Sequence, residues 1–419
     1  MNRAFDTAES WKVSLPTSTM LTYDLPTDRI AMHPLEERDA SKLLVWRSPA
    51  QPIEHTTFRQ VASLLDADSI LIVNQTRVIA ARLFARKPTG GMVEVLITDP
   101  VAPSTDPAVV LATSESSQWR CLIGGRNVHP GMELIGSDDA LTIRVLERTS
   151  TEGIVELSWP GSSSLSDIIE RLGSVPLPPY IQREVERADE ERYQTIYARD
   201  QGSVAAPTAG LHFTDRVMQD IAGRGIDIAR VTLHVGLGTF RPVEAGDLRD
   251  HVMHSERIIV SAGEMRRMAE AAARGATFTC VGTTSIRTME SLYLWGSRLI
   301  RDGEQGAGPI LVDQWDAFDP SLHEATRQEA FSRVSTWMQQ NGMTSLEGST
   351  QLMIAPGCWV RSTDRLITNF HQPGNTLLAL IAGFVGTENW RSIYDAALNN
   401  GYRFLSYGDS SLLFRNVAT

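Results

Sequence analysis

The sequence TFTCVGTTSIRTMESLYLW at positions 277–295 is typical of a strand, a tight turn and a helix in direct succession. Positions 277–281 are rich in β-branched and aromatic residues, which favour a buried strand. Gly282 interrupts that run, and positions 284–295 then repeat apolar side chains at helical spacing. A strand followed directly by a helix is the building unit of an α/β fold with a parallel sheet.

The same alternation continues on both sides of this unit. It predicts strands at 43–45, 69–73, 227–235, 277–281 and 366–369, and helices at 57–66, 166–172, 215–223, 262–274, 284–295, 324–340 and 376–385. We therefore predict an α/β main domain over 23–76 and 161–419, which contains an insert at 297–347. Positions 1–22 show no clear period and are predicted to be an N-terminal extension.

Positions 77–160 have a different pattern, with little helical period. Their β-type runs are VIAARLFA (78–85), MVEVLIT (92–98), AVVLAT (108–113), WRCLIG (119–124), LTIRVLE (141–147) and GIVELSW (153–159). Gly, Pro, Ser and Asp separate these runs. Several short strands at such spacing predict a small barrel or sandwich inserted in the chain.

Composition narrows the class of protein without defining its function. The 419 residues are 42% apolar, and the longest apolar run, 377–385, is too short to span a membrane. Cys121, Cys280 and Cys358 lie far apart without a C-x-x-C pair, so we predict three buried thiols and a reducing, cytoplasmic location. The net charge of −11 argues against a dedicated nucleic-acid binder but allows a local basic face.

Polar loops follow three of the predicted strands. The first contains His234, Gly236 and Gly238, the second is G-T-T-S at 282–285, and the third begins at Asn369. Ligands of open α/β sheets bind outside the carboxyl ends of the strands, so we expect these loops to meet at one crevice. The second loop also opens a helix, which is a suitable place for an anion or a carboxylate.

Positions 204–256 hold four of the nine histidines, His212, His234, His251 and His254, among glycine-rich loops. Histidine titrates near neutrality, so this concentration favours a functional site, although the spacing does not decide which histidines act. We predict no metal, because the pair at 251 and 254 lacks an H-E-x-x-H context. The fingerprints G-x-G-x-x-G, Walker A and G-x-S-x-G are also absent from the sequence.

Long motifs across the chain resemble the S-adenosylmethionine:tRNA ribosyltransferase-isomerase family of queuosine biosynthesis. The resemblance is collinear from about residue 23 and extends over nearly the whole chain. The motifs are DRIAMHPLEERDASKLLV (28–45), NQTRVIAARL (74–83), ERYQTIYA (191–198), VAAPTAGLHFT (204–214), TLHVGLGTFRPV (232–243), HVMHSE (251–256), VGTTSIRTMES (281–291), LITNFHQPGNTLLALIAGF (366–384) and YRFLSYGDSSLL (402–413).

The resemblance implies an α/β fold, in which an α/β main domain carries an inserted small β-barrel domain. It also implies transfer and isomerisation of the ribosyl moiety of S-adenosylmethionine onto 7-aminomethyl-7-deazaguanine at the tRNA wobble position. The products are epoxyqueuosine, adenine and methionine. S-adenosylmethionine is then a consumed co-substrate with no retained cofactor, and the partner is a tRNA with a GUN anticodon. The resemblance further implies a cytoplasmic monomer.

This chemistry needs a base for the acidified C5′ proton and an acid for the departing adenine. We hypothesise that His212, His234, His254 and Glu256 supply these groups. The predicted substrate-binding residues are Arg38, Asp39, Phe213, Gly236, Gly238, Phe240, Arg241, Thr283, Thr284, Arg287, Asn369, His371 and Asp409. Among them, Arg241, Arg287 and the two threonines would hold the methionine carboxylate and the ribose. Phe213 or Phe240 would stack on a flipped wobble base.

The chain departs from the family pattern at 123–129, where positive charge is reduced, and at 350–357, where an acidic residue and two aromatic residues are replaced. Two alternatives therefore stay open. One is a divergent paralogue that uses S-adenosylmethionine with a non-tRNA acceptor, and the other is a non-catalytic tRNA-binding protein. A basic face beside the crevice would favour the tRNA enzyme over the paralogue, while the many titratable residues argue against a pure binder.

Overall fold

The computed structural model describes residues 21–236, 248–303 and 310–416. Its strands are β1 (Lys42–Trp46), β2 (Glu54–Thr57), β3 (Ser69–Asn74), β4 (Thr76–Val78), β5 (Arg82–Arg86), β6 (Met92–Ala102), β7 (Ser117–Ile123), β8 (Glu133–Gly136), β9 (Thr142–Arg148), β10 (Glu152–Ser158), β11 (Gly173–Ser174), β12 (Asp200–Ser203), β13 (Asp227–Leu233), β14 (Glu256–Ser261), β15 (Thr277–Val281), β16 (Ile310–Val312), β17 (Ser345–Thr350), β18 (Arg365–Asn369) and β19 (Ser410–Phe414).

Its α-helices are α1 (Pro107–Leu111), α2 (Leu165–Leu172), α3 (Asp189–Arg192), α4 (Asp215–Gly223), α5 (Ala262–Ala273), α6 (Thr283–Asp302), α7 (Arg327–Gln340), α8 (Thr376–Val385) and α9 (Asn389–Asn399). Short 3-10 helices lie at Thr27–Arg29, Arg38–Ala40, Phe58–Leu64, Thr208–His212, Leu248–Asp250, Asp316–Phe318 and Pro320–Leu322.

The main domain is built on a ten-stranded sheet, counted over the described residues, with the order β16-β17-β14-β13-β3-β15-β18-β19-β1-β2. The four central strands β13, β3, β15 and β18 run parallel to one another. Strands β14 and β19 flank this group and pair with it in antiparallel fashion. The sheet is therefore mixed, with a parallel centre as the alternating pattern predicted.

Both faces of the central sheet are buried, since every residue of β3 is buried. Ile70 and Ile72 pack in the cluster that contains the apolar faces of α5, α6 and α8. Leu71 and Val73 pack on the opposite face, against α4 and the 3-10 helix Phe58–Leu64. Helix α4, which precedes β13, and helix α6, which follows β15, therefore lie on opposite faces of the sheet, and open α/β sheets of this kind bind ligands at the carboxyl ends of their strands.

The second domain is a closed β-barrel. Its strands follow the order β5-β6-β7-β10-β9-β8, and β8 pairs with β5 to complete the circle. Inward-facing residues such as Val95, Trp119 and Val145 alternate with exposed ones and form a separate core. The predicted α/β fold with an inserted small β-barrel is confirmed.

Two predicted elements are wrong in type. Positions 57–66 form the end of β2 and a 3-10 helix instead of an α-helix. Positions 108–113, predicted as a strand, form most of α1, because the Asp106 side chain accepts from Ala108 N and Pro107 occupies the first turn. The elements that were not predicted are strands β2, β4, β8, β11, β12, β14, β16, β17 and β19 and helices α3 and α9.

The segment 297–347 was predicted as an insert. Its described residues form part of the main domain. β16 and β17 form one edge of the large sheet, and α7 packs along α6. Gly296 allows this close packing, since a Cβ there would lie 2.5 Å from the Ala330 carbonyl oxygen. Residues 1–20 of the predicted extension lie outside the described residues.

Two predictions from composition can be compared with the structure. The three cysteines are free and buried, as expected, and burial raises the pKa of each thiol to about 12. None of the helices in the described ranges has the length and apolarity needed to cross a membrane.

Candidate active site

The loops after β13, β15 and β18 meet, as predicted, around a small cavity of about 60 Å³, which we call the strand-end cavity. Val235 contributes from the first loop, Thr283 and Thr284 from the second, and His371 from the third. Gly282 adopts a φ of +86°, which lets the chain turn sharply from β15 into α6. No side chain caps the N-terminus of α6, so its dipole favours an anionic group in this cavity.

Asn74, at the end of β3, ties the strand ends together beneath this cavity. Its Nδ2 atom donates to the Leu233 carbonyl (3.0 Å) and to Thr284 Oγ1 (3.1 Å). Its Oδ1 atom accepts from Leu233 N (3.1 Å) and from Thr76 N (3.2 Å). The fully buried amide thus fixes the relative position of three segments, although the sequence indicated only a polar cluster where the strand stops.

A second cavity surrounds a buried ion pair between Glu256, the first residue of β14, and Arg287 of α6; we call it the Arg287 cavity. These residues are only 5% and 6% exposed. Arg287 Nε donates to the Leu352 carbonyl (3.1 Å), whereas Nη2 has no hydrogen-bond partner within the described residues. An unsatisfied buried donor costs on the order of 1–3 kcal/mol, so this nitrogen is poised for a ligand acceptor.

The remaining walls of the Arg287 cavity are largely apolar. They consist of His251, Met253, His254, Leu352, Met353, Ile354, Thr376, Leu377 and Leu380. A charged guanidinium beside thioether and aliphatic side chains suits a ligand that carries both an anionic and an apolar part.

A third space, the barrel cleft, has a volume of about 610 Å³ and lies between the barrel and the main sheet. His234, Gly236, His254 and Glu256 line it from the main domain. The barrel side is formed by residues of β6, β7, β9 and β10 and their connections, including Asp99, Arg120, Glu147, Thr149 and Glu152.

Arg257 fastens the two sides of the barrel cleft. Its guanidinium contacts Asp106, in the barrel segment, at 2.6 Å and Glu347, in β17, at 2.5 Å. The hydrogen bond from Arg257 holds the pKa of Asp106 below its ordinary value. An ion pair therefore joins the barrel segment to the main domain beside the cleft.

The three spaces adjoin one another. His254 and Glu256 line both the Arg287 cavity and the barrel cleft. Leu377 is shared by the strand-end and Arg287 cavities, and Val235 by the strand-end cavity and the barrel cleft. A small molecule bound in the inner cavities would therefore meet a larger partner at His254 and Glu256.

Two predicted histidines, half-buried His234 and buried His371, lie on these walls in a neutral state. His234 Nδ1 pairs with Thr76 Oγ1 at 2.9 Å, and burial lowers the pKa of His234 to about 4. His371 Nε2 pairs with Thr368 Oγ1 at 3.0 Å, and burial lowers the pKa of His371 to about 3. Neutral imidazoles with such pKa values are hydrogen-bonding groups at pH 7 and poor proton donors.

The structure places His212 differently from its predicted catalytic role. Both ring nitrogens are occupied: Nδ1 lies 2.8 Å from Ser41 Oγ, and Nε2 lies 3.3 Å from Asn369 Oδ1. Asn369 donates through Nδ2 to the carbonyls of Leu405 and Ser406, so its Oδ1 atom accepts from His212. These contacts give His212 a structural role and make Asn369 a wall residue whose amide is already used.

Four predicted substrate-binding residues are also placed in structural roles. Arg38 donates to the carbonyls of Gln194, Leu211 and Glu191. Buried Asp39 accepts from the side chains of Arg59, Thr214 and Arg216.

Asp409 accepts from Lys42 N and Arg403 N. Phe213 is fully buried against Phe58 and Tyr197 and has no face left for a base. Partners distant in the sequence use the polar groups of Arg38, Asp39 and Asp409 and cover the Phe213 ring, and a substrate-binding role for these four residues stays a prediction.

The predicted residues that the structure brings together are His234, Gly236, His254, Glu256, Thr283, Thr284, Arg287, Asn369 and His371. Gly238, Phe240 and Arg241 lie outside the described residues. Among the side chains that are described, no three His, Cys, Asp or Glu groups converge as metal ligands.

A buried crevice at the ends of parallel strands, joined to a barrel-covered cleft by a histidine and a carboxylate, defines an α/β protein suited to acid–base chemistry on a bound small molecule. A family model described as queuosine biosynthesis protein matches residues 18–413. The chain therefore belongs to the queuosine biosynthesis protein family, as its motifs indicated.

Relatives from several bacteria carry one name, S-adenosylmethionine:tRNA ribosyltransferase-isomerase. The relative from Pelobacter propionicus is 37% identical over 392 residues, which cover 93% of this chain and 98% of the relative. The relative from Azoarcus sp. is 38% identical over 394 residues, with coverage of 94% and 96%. A crystal structure of an S-adenosylmethionine tRNA ribosyltransferase from Thermotoga maritima is 26% identical and covers 94% of this chain and 100% of that chain, with a TM-score of 0.46.

Proposed function

We propose that this protein is an S-adenosylmethionine:tRNA ribosyltransferase-isomerase. It transfers and isomerises the ribosyl moiety of S-adenosylmethionine onto 7-aminomethyl-7-deazaguanine at the tRNA wobble position, and it releases adenine and methionine. The observation that carries the proposal is the match to relatives of this name over 93% of the chain. Those names give no support to a non-tRNA acceptor or to a non-catalytic role.

The inner cavities suit the two ends of S-adenosylmethionine. In this proposal, Arg287 Nη2 donates to the methionine carboxylate, because it is a buried cationic donor without a partner in the described structure. The apolar wall formed by Met253, Leu352 and Ile354 packs against the methionine chain. Thr283 and Thr284 in the strand-end cavity then contact the ribose.

The barrel cleft accommodates the modified wobble nucleotide in the same arrangement. A base must leave its stack before its aminomethyl group can reach the ribosyl carbon atoms. The cleft is by far the most spacious of the three adjoining spaces and meets the inner cavities at His254 and Glu256. The acceptor and the co-substrate would therefore meet at these two side chains.

The chemistry requires removal of a C5′ proton next to the sulfonium and protonation of the departing adenine. We assign these steps to Glu256 and His254, since both lie at the junction of the cavities. Glu256 is held by Arg287, whereas the His254 side chain is exposed at the mouth of both spaces. His234, neutral at pH 7, serves as a hydrogen-bonding wall residue, and His212 is removed from the catalytic set.

The proposal includes S-adenosylmethionine as a consumed co-substrate, with no retained cofactor. It also includes a tRNA with a GUN anticodon as acceptor, a monomeric enzyme and a cytoplasmic location, all of which follow the family resemblance. The exposed Arg120 on the barrel side of the cleft supplies positive charge for the tRNA.

The test incubates the purified protein with S-adenosylmethionine and a GUN tRNA that carries 7-aminomethyl-7-deazaguanine. Adenine release is measured together with the mass of the modified nucleoside, and the same tRNA without the aminomethyl base is the control. Epoxyqueuosine with adenine release supports the proposal. Adenine release without modification of the tRNA would mean that the protein uses another acceptor. If neither adenine nor modified nucleoside is detected, the proposed enzymatic activity is rejected.

A further inference from the structure

The loop that carries His254 is held by a side chain from a distant part of the sequence. Gln314 Oε1 accepts from Met253 N at 2.9 Å, and Gln314 Nε2 donates to the His251 carbonyl at 2.6 Å. The two ends of one side-chain amide thus satisfy one N–H group and one carbonyl group of the loop backbone. Gln314 itself lines none of the three spaces of the site.

The position of Gln314 is set by the edge of the main sheet. The ladder between parallel strands β16 and β17 continues past their ends, since Gln351 N donates to the Val312 carbonyl (3.0 Å) and Met353 N donates to the Gln314 carbonyl (2.9 Å). Gln351 reaches the same loop through a weaker bond from Nε2 to the Met253 carbonyl (3.3 Å). Two glutamines at the end of the β16–β17 pair therefore form hydrogen bonds to the backbone of the loop at 251–255.

Among the residues that the structure describes, little else holds the loop at 251–255 beyond the packing of Met253 against the main core. It has no regular secondary structure between the 3-10 helix Leu248–Asp250 and β14, and Val252 is 75% exposed. His251, Met253 and His254 nevertheless form one wall of the Arg287 cavity. A loop with so little burial needs fixed backbone contacts to hold a side chain in one place.

We propose that Gln314 is a positioning residue for the reaction, which fixes His254 and the entry into Glu256 by bonding to the loop backbone on both sides of Val252. This inference rests on the proposed function, because it assigns the reaction to these two side chains. The segment at 297–347 then contributes to turnover through β16 and Gln314, without touching the substrate.

The test is Gln314→Met, which keeps the length of the side chain and removes both hydrogen bonds. A displacement of catalytic groups by about 1 Å costs on the order of a hundredfold in rate, so we expect kcat for adenine release to fall by about that factor. The KM for S-adenosylmethionine should change little, since the lost positioning acts in the transition state. Gln351→Met, which removes only the longer bond, should lower kcat less.

Gln194→Met is a matched control. Gln194 makes the same pair of bonds to a single residue, accepting from Val78 N (3.0 Å) and donating to the Val78 carbonyl (2.8 Å), and it is likewise half-buried. It lines none of the cavities of the site. Both variants should lower Tm to a similar extent, whereas only Gln314→Met should lower kcat.

Amide hydrogen exchange separates this inference from the proposed function. The Met253 amide should be protected in the wild-type protein and should lose protection in Gln314→Met. Protection that is unchanged, or a kcat that falls equally in Gln194→Met, would overturn the positioning role. If the wild-type protein is inactive while the Met253 amide is protected and loses that protection in Gln314→Met, the proposed function is rejected. The contact between Gln314 and the loop is then still supported.

Discussion

At the scale of single residues, the two histidines His212 and His254 show how one side-chain type serves two purposes within one motif-rich stretch. His212 is 4% exposed and uses both ring nitrogens on Ser41 and Asn369. His254 is exposed at the junction between the Arg287 cavity and the barrel cleft. The first is therefore suited to hold the structure, and the second is placed to contact a bound substrate.

His254→Gln should abolish most of the turnover without changing the fold. General acid–base groups contribute about 10²–10⁴-fold to rates, so we expect adenine release to fall by a factor in that range. The free energy of unfolding should stay within about 0.5 kcal/mol, because the side chain is exposed. Steady-state kinetics and chemical denaturation provide the two measurements.

His33→Gln is the control for this variant. His33 is also exposed, and its side chain lies near Glu186, away from the cavities of the site. It should retain wild-type kcat and KM. Equal rates for both variants and the wild type would remove His254 from the mechanism.

His212 should affect the pH dependence of stability. Burial lowers its pKa to about 4, whereas an unfolded histidine has a pKa of about 6.5. The unfolded chain therefore binds more protons between these values, and the free energy of unfolding falls as the pH decreases from about 6.5 to 4. In His212→Gln, the slope of this free energy against pH should decrease by about 1.4 kcal/mol per pH unit, the effect of one proton.

Denaturant titrations at several pH values in this interval would measure that slope. The same variant should retain most of its adenine release, because His212 lines neither the Arg287 cavity nor the barrel cleft. An unchanged slope with lost turnover would return His212 to the catalytic set.

The sequence alone distinguishes poorly between structural and ligand-binding polar residues, and the reason is physical. Arg38 and Asp39 lie in a motif, but the structure brings Glu191, Thr214 and Arg216 to them from more than 150 positions away. A polar side chain that is satisfied by distant partners has the same local pattern as one that is free to bind. Arg287 lines a cavity of the candidate site because it lies in the first turns of the helix that follows β15, where the location of a ligand crevice is general to the fold.

At the scale of secondary structure, the elements predicted best are those that are buried on both faces or that carry their own end signals. β15 and α4 begin and end at the predicted residues. In α4, the Thr214 side chain accepts from Val217 N and marks the start of the helix. Such signals are local and can be read from a single sequence.

The errors arise where a short apolar run suits either type of structure. The run at 108–113 is apolar and β-branched, yet Asp106 and Pro107 start the helix α1 there. The Asp-Pro pair was a usable signal for a helix start that the alternating pattern obscured. Edge strands such as β16 have three residues and leave little pattern to detect.

The packing of α7 on α6 can be tested at Gly296. A Cβ at this position would meet the backbone oxygen of Ala330 at 2.5 Å, so Gly296→Ala must push the two helices apart. We expect a loss of about 1–3 kcal/mol in the free energy of unfolding, as for other overpacked sites. Urea denaturation would measure it.

Gly223→Ala is the matched control, since this glycine ends α4 and a Cβ there meets nothing within 4 Å. It should stabilise the protein by about 0.4–1 kcal/mol, because alanine reduces the conformational freedom of the unfolded chain. A neutral Gly296→Ala would mean that α6 and α7 do not approach as closely as described.

At the scale of the whole molecule, the protein must combine an acidic composition with a polyanionic substrate. The net charge is −11, so general attraction cannot bring the tRNA to the site. Local charge around the barrel cleft has to do so. Arg257 is already engaged with Asp106 and Glu347, and Arg148 donates to the carbonyls of Gly125 and Val128.

Arg120 is the cleft arginine best placed to contact a phosphate. It is exposed on β7 and, within the described ranges, makes no ion pair with a carboxylate. Each phosphate contact releases counterions. Its loss should therefore weaken tRNA binding and reduce the magnitude of the negative slope of log binding constant against log salt concentration by about one. Arg120→Gln should therefore show a smaller salt dependence of tRNA affinity, with an unchanged KM for S-adenosylmethionine.

The control is Arg144→Gln, which removes an equal charge from an exposed position on the neighbouring face of the barrel that does not line the cleft. Net charge changes identically in both variants, so a general electrostatic effect would alter their salt dependence equally. A change confined to Arg120→Gln would place the tRNA backbone at the barrel cleft. Equal changes in the two variants would instead mean that the tRNA approaches the barrel without entering this cleft, and the route by which the wobble base reaches His254 would then have to run along the main domain.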